Sequence, residues 1–143
     1  MTGEVRLADS DADLRRCFAV MRQLRTHFDQ EEIFVAQARR QMANERWRLA
    51  FLEDEGEIVA LAGFRLLEAL HSGKTLYVDD LVTREDQRSK GHGETLMRWL
   101  EDRARKAGCQ TFSLDSGTQR TEAHRFYFRM GMVIPSFHFA KKL

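Results

Sequence analysis

The chain has 143 residues, with 23 Lys and Arg against 22 Asp and Glu, a formal net charge of +1 with histidine neutral. That length fits one domain, residues 1–143, and so balanced a charge gives no electrostatic case for nucleic acid or an anionic membrane. Cys17 and Cys109 lack a Cys-x-x-Cys spacing, the opening "MTGEVRLADSDADLRR" lacks an apolar core, and no run approaches the ~20 apolar residues of a membrane span, so free thiols and a cytoplasmic location are expected.

"EVRLA" alternates polar and apolar side chains and meets Ser10, which with Asp13 reads as a capping box, so a strand hands over to a helix. Leu14, Cys17, Phe18, Met21 and Leu24 form that helix's apolar stripe. Asp29 can cap a second helix carrying Phe34, Ala38 and Met42 as far as Asn44. The period then changes. Two apolar runs, Trp47 to Leu52 and Ile58 to Leu67, flank the acidic turn "EDEG" and predict a hairpin. After the turn "HSGK", the stretch "TLYVDDLVT" predicts a further strand. Leu96, Leu100, Ala104 and Ala107 predict a helix stopped by Gly108. "CQTFSLDS" reads as a strand, "QRTEAHRFYFRM" as a helix closed by Gly131, and "MVIPSFHFAKKL" as a last strand broken at Pro135. The predicted order, β-α-α-β-β-β-α-β-α-β, is that of an α/β domain.

Chemistry concentrates in "RSKGHGETLMRWL", where a strand runs through a glycine turn into a helix. First-turn N–H groups of a helix have no intrahelical partner, the helix dipole is positive there, and Gly91 and Gly93 let a ligand approach the backbone. Arg88 and Lys90 add positive charge, so the turn suits an anion. Neither a Walker A spacing nor a dinucleotide Gly-x-Gly-x-x-Gly is present.

"DDLVTREDQRSKGHGETLMRWL" resembles the acetyl-CoA-binding segment of the GNAT superfamily of N-acetyltransferases, whose Arg/Gln-x-x-Gly-x-Gly/Ala pattern is matched by Arg88, Gly91 and Gly93. "EAHRFYFRMGM" resembles the family's second motif, and the element order is also the family's. Ser89 and His92 depart from the commoner residues, at positions where backbone N–H groups do the binding. The resemblance implies a mixed central sheet of six to seven strands, splayed between the fourth and fifth. It implies that the pyrophosphate of acetyl-CoA sits on the amides of Arg88, Ser89, Lys90, Gly91, His92, Gly93 and Glu94, and that the pantetheine arm pairs with Leu81, Val82 and Thr83. A main-chain N–H near Leu81 or Val82 would then support the thioester carbonyl as it gains charge. Dimers are frequent in the family, so a homodimer is one expectation it carries.

An attacking amine must first lose a proton, and a lysine-like pKa of ~10.4 makes a nearby carboxylate useful. Asp79 and Asp80 are the candidates. Neighbours in a strand point to opposite faces, so one of them reaches the substrate directly. Resemblance to polyamine-type members favours Asp79, with Asp80 as second choice. Tyr127 matches the family tyrosine that protonates the departing sulfur, which implies direct transfer in a ternary complex. Five histidines lie scattered without the His-x-x-x-His spacing of a helical metal site, so no metal is expected.

In the family the acceptor pocket draws on segments that here are "LRTHFDQEEIF", "EALHSGK" and "PSFHFAKKL", which makes His27, Phe28, His71 and His138 candidate substrate contacts. Their charges conflict. Asp29, Glu31 and Glu32 suit a cationic amine, whereas Arg22, Arg25 and His27 suit an acceptor bearing an anion. The close of the chain also resembles the aminoalkylphosphonate N-acetyltransferases. A small-molecule amine is the leading acceptor; a protein N-terminus or lysine, and a non-catalytic acetyl-CoA-binding module, are the alternatives.

Overall fold

Ser10 joins the first strand, β1 (Glu4–Leu7), to the first helix, α1 (Asp11–Leu24), by accepting a hydrogen bond from Asp13 N at 3.1 Å. It satisfies one of the helix's orphan donors. The computed structural model describes residues 3–143. The second helix, α2 (Glu31–Asn44), starts at Gln30 with no side-chain cap, so the expected Asp29 cap does not form.

β2 (Arg48–Asp54) and β3 (Glu57–Ala69) form the expected hairpin. Its two turn residues both take positive φ, Glu55 at 52° and Gly56 at 79°, the twist that lets a two-residue loop connect right-twisted strands. β4 (Gly73–Thr83) follows, then a short 3-10 turn (Glu85–Gln87), α3 (His92–Lys106), β5 (Thr111–Leu114) and α4 (Thr121–Arg129). The sheet runs in the order β1-β2-β3-β4-β5, and β1 to β4 pair antiparallel with their sequence neighbours.

Two compact units divide the chain, Met1–Ser113 and Leu114–Leu143. Within the first, α1 and α2 bury Leu14, Cys17, Val20, Met21, Phe34, Val35 and Ala38 with Leu49, Phe51 and Leu61 of the sheet, while α3 buries Leu96, Met97, Leu100 and Ala104. Covering β2 and β3 so fully explains their near-continuous apolar sequence, where a half-exposed strand would alternate. Cys17 sits in this core, where burial pushes its thiol up to about 12, leaving it a packed, unreactive group. Phe51 is fully buried beneath the guanidinium of Arg6, 5.1 Å from its ring centre. Phe51→Ala is expected to cost about 3–5 kcal/mol of stability, read as a lower midpoint in urea unfolding.

The expected six to seven strands are five, because residues 132–143 form no strand among the described residues. Phe137 and Phe139 alternate with Ser136 and His138 as a strand would, yet both phenylalanines are exposed. A period-two pattern describes one strand's faces and supplies no ladder partner; Pro135 in addition has no N–H to donate. In the C-terminal unit, α4 closes with Gly131 at φ 86°, where the left-handed conformation ends the helix without Cβ strain.

Candidate active site

At the middle of β4 the sheet register slips: Gly63 pairs with Asp80, Phe64 with Val78, and Asp79 is the extra residue of a β-bulge. The two aspartates consequently meet different partners. Asp79 takes a two-pronged ion pair from Arg65, Nε to Oδ2 at 2.8 Å and Nη2 to Oδ1 at 2.9 Å. Asp80 accepts from Arg25 Nε at 2.9 Å and from Trp47 Nε1 at 3.1 Å. Arg25 also donates to the main-chain oxygen of Asp79 at 2.8 Å, so its guanidinium clasps the bulge itself.

Asp80 has only 12% of its side chain exposed, and burial raises its carboxyl above the ordinary aspartate range even though the bonds from Arg25 and Trp47 pull the other way. A carboxylate held against its own desolvation is a stronger base than a solvated one. Gly63 makes the arrangement possible. A Cβ there would lie 2.6 Å from Trp47 Nε1 and collide with Asp80 Oδ2, so the Trp47–Asp80 bond occupies the space a side chain would fill. Gly63→Ala is expected to displace that pair, shifting the tryptophan emission and lowering kcat/KM at least tenfold in the same preparation.

Asp80 lines a cavity of about 130 Å³ with Met21, Arg25, His27, Phe28, Gln37, Gln41 and Trp47 among its walls. His27 stacks on Phe28 with ring centres 4.3 Å apart, and Gln37 Nε2 donates to Gln41 Oε1 at 2.9 Å. Of the expected substrate contacts, His27 and Phe28 are therefore in the lining, whereas His71 is an exposed turn residue outside it and His138 belongs to the C-terminal unit. Glu32 pairs with Arg15 on the surface, and Asp29, Glu31 and Arg22 do not line the cavity. Asp79 does not line it either.

Trp47, Gln37, Gln41 and Gly63 were not legible as site residues from sequence. Gly63 alone carried a signal, being a glycine inside a strongly apolar strand, which marks close approach by another group.

At the other end of β4, Gly91 is the N-cap of α3, at φ 86°, with no side-chain cap on the helix. Its oxygen accepts from Thr95 N and Thr95 Oγ1, both at 3.0 Å, fixing the first turn while the amides of His92, Gly93 and Glu94 have no carbonyl a turn behind them. Arg88, Ser89 and Lys90 are exposed beside them, and Ser89 itself has a positive φ of 64°. His92 is buried, and its Nε2 has no hydrogen-bond partner. Uncapped amides with exposed basic neighbours fit an anionic diphosphate, and residues 88–93 include no acidic side chain.

Tyr127 lies on α4 of the C-terminal unit, half-buried, its ring 5.4 Å from that of Phe126. Burial raises its phenol above the usual tyrosine value, with Arg120 opposing, so it carries its proton throughout the neutral range. His124 on the same helix contacts Gly117 O through Nε2 at 2.7 Å. Among the described residues no helix is long and apolar enough to cross a membrane, and no group of three or more His, Cys, Asp or Glu is placed to hold a metal ion.

Known proteins match this architecture. An N-acetyltransferase of Bacillus subtilis (strain 168), YhdJ, described as uncharacterized, is 39% identical over 125 residues, spanning 87% of each chain. The aminoalkylphosphonate N-acetyltransferase of Salmonella typhimurium is 33% identical over 101 residues, which is 70% of this chain and 64% of that protein. The crystal structure of a GNAT family acetyltransferase from Staphylococcus aureus superposes with a TM-score of 0.83 over the whole of both chains at 20% identity, a likeness of fold. The acetyltransferase (GNAT) family model matches residues 12–132, and with the identity to YhdJ this establishes that the chain belongs to the GNAT family of acetyltransferases.

Proposed function

We propose that the protein moves the acetyl group of acetyl-CoA to a primary amine of a small molecule, with Asp80 as the general base. The observation that carries this reading is the buried, pKa-raised carboxylate of Asp80 facing a cavity of about 130 Å³, one residue before the stretch of β4 that the resemblance gives to the donor. That volume lies below the usual 300–1,000 Å³ of ligand pockets, so it suits a compact amine better than a peptide.

Acetyl-CoA, when bound, supplies the acetyl group as a thioester. The amides of residues 88–94 would hold its pyrophosphate, with Arg88 and Lys90 adding charge. Gln110 N donates to Lys74 O at 2.8 Å, so β5 begins beside the start of β4, and a four-residue strand starting there ends short of Asp79. This supports an open edge at Leu81, Val82 and Thr83, where an extended arm can pair with the main chain.

Asp80 takes a proton from the acceptor's ammonium group, and Arg25 and Trp47 keep its two oxygens oriented while it does so. Tyr127 gives its phenolic proton to the sulfur as the carbon–sulfur bond breaks, so that coenzyme A leaves as the thiol, and the second proton lost by the attacking nitrogen restores the phenol by way of solvent. The reading replaces Asp79, favoured by sequence resemblance, with Asp80, because Asp80 lines the cavity and is the more buried of the two, whereas Asp79 lies outside the lining.

The aminoalkylphosphonate relative supports a small-molecule acceptor over a protein one. The test is coenzyme A release, with product mass, across polyamines, alkylamines, aralkylamines, aminoalkylphosphonates, amino acids, aminoglycosides and short peptides. Turnover restricted to peptides would overturn the small-molecule assignment. Acetyl-CoA binding without transfer to any of them would leave a binding module.

A further inference from the structure

We infer that the acceptor is a primary amine on a compact, uncharged apolar or aromatic body, and that amines bearing a phosphonate, phosphate or carboxylate are discriminated against. This rests on the reading of the Asp80 cavity as the acceptor site.

Charge sets the preference. The cavity wall contains one permanent cation, Arg25, and one carboxylate, Asp80, and these are paired with each other, Arg25 Nη2 lying 2.8 Å from Asp80 Oδ1. A second guanidinium N–H goes to the Asp79 oxygen. The pair is neutral as a unit. An anionic group reaching for Arg25 must approach the Asp80 carboxylate on the same guanidinium, in a site dry enough to raise that carboxyl's pKa. Of the other basic residues that sequence placed nearby, Arg22 lies over the Phe18 ring at 5.6 Å and outside the lining, and His27 lines the wall.

The remaining wall is His27, stacked on Phe28, and otherwise apolar or amide. Met21, Phe28, Phe34 and Ala38 are each at most 8% exposed, Trp47 closes one side, and Gln37 and Gln41 satisfy each other. The apolar part of that wall desolvates a hydrocarbon or ring without penalty, and an anion meets only a shared guanidinium and the His27 imidazole. The amine is the group of the acceptor for which a partner is waiting, since Asp80 Oδ2 retains a lone pair after its bond to Trp47.

The experiment compares 2-phenylethylamine and n-butylamine with 2-aminoethylphosphonate and β-alanine, by turnover and by calorimetric binding to the full chain. For the uncharged-body amines kcat/KM is expected at least tenfold higher and Kd at least tenfold lower. Equal or better use of 2-aminoethylphosphonate overturns the inference while leaving acetyl transfer to small amines intact. If no amine is acetylated, the functional reading fails, and the binding comparison still decides the preference of the cavity. Asp80→Asn supplies an independent arm: freeing Arg25 from its counter-charge is expected to tighten 2-aminoethylphosphonate binding at least tenfold and weaken 2-phenylethylamine. Unchanged affinities for both would show that Asp80 does not set the charge preference.

Discussion

Asp80→Asn is expected to lower kcat/KM by about 10²- to 10⁴-fold, the range that general-base removal spans, with acetyl-CoA affinity unchanged. The pH profile is the sharper measurement. A base works only when deprotonated, so activity of the unmodified protein falls as pH drops through the Asp80 pKa, which burial has moved above the ordinary 3.8. In Asp80→Asn that acidic limb should vanish. Retention of the limb at unchanged position would assign it to another group and remove Asp80 as the base.

The same shift has a consequence for stability. Folding raises this carboxyl's pKa, so its favourable contribution is complete below the unfolded value and is lost as pH rises through the folded one. At neutral pH the ionised Asp80 thus opposes folding, offset in part by Arg25 and Trp47. The contrasting variant is Asp79→Asn, which loses the Arg65 ion pair and should alter stability more than it alters the acidic limb.

Tyr127→Phe is the second large effect, expected to reduce kcat about 10²-fold while binding of acetyl-CoA measured by calorimetry stays as it was. Phe preserves the ring contact with Phe126 and removes only the oxygen, so a loss of kcat reports the proton and not the packing. Because the phenol's pKa is raised, the alkaline limb that it governs should lie above 10 and disappear in the variant. An unaltered kcat would leave sulfur protonation to solvent.

Much of this architecture was present in local chemistry. Ser10 three residues before Asp13, the Glu55–Gly56 turn between two apolar runs, Gly108 and Gly131 after apolar-striped helices each act within a few residues, and each has its expected role in the structure. The glycine turn belongs with them. Gly91 at positive φ and the uncapped amides that follow depend on a short stretch of backbone, which is why the anion-binding character could be read from "RSKGHGE" and the family from its neighbours.

What sequence could not decide was anything that depends on which strand lies beside which. The last strand was expected from the alternation of Phe137 and Phe139, and it does not form because alternation specifies faces without specifying a partner. Asp79 and Asp80 are adjacent and chemically identical. Their different fates come from a bulge between β3 and β4, from Arg25 at the end of α1, 55 residues away from Asp80 in sequence, and from Trp47, 33 residues from Asp80, whose ring passes beside Gly63. The charges of the α1–α2 segment are partitioned by packing as well, which puts Arg25 and His27 in the cavity wall and leaves Arg22, Asp29, Glu31 and Glu32 outside it. By itself the sequence determined the glycine turn on which the donor is proposed to sit, because such a turn is built from contiguous backbone. The surroundings of the proposed base and the charge of the cavity around it depend on tertiary structure, because desolvation and ion pairing exist only once distant segments have packed together.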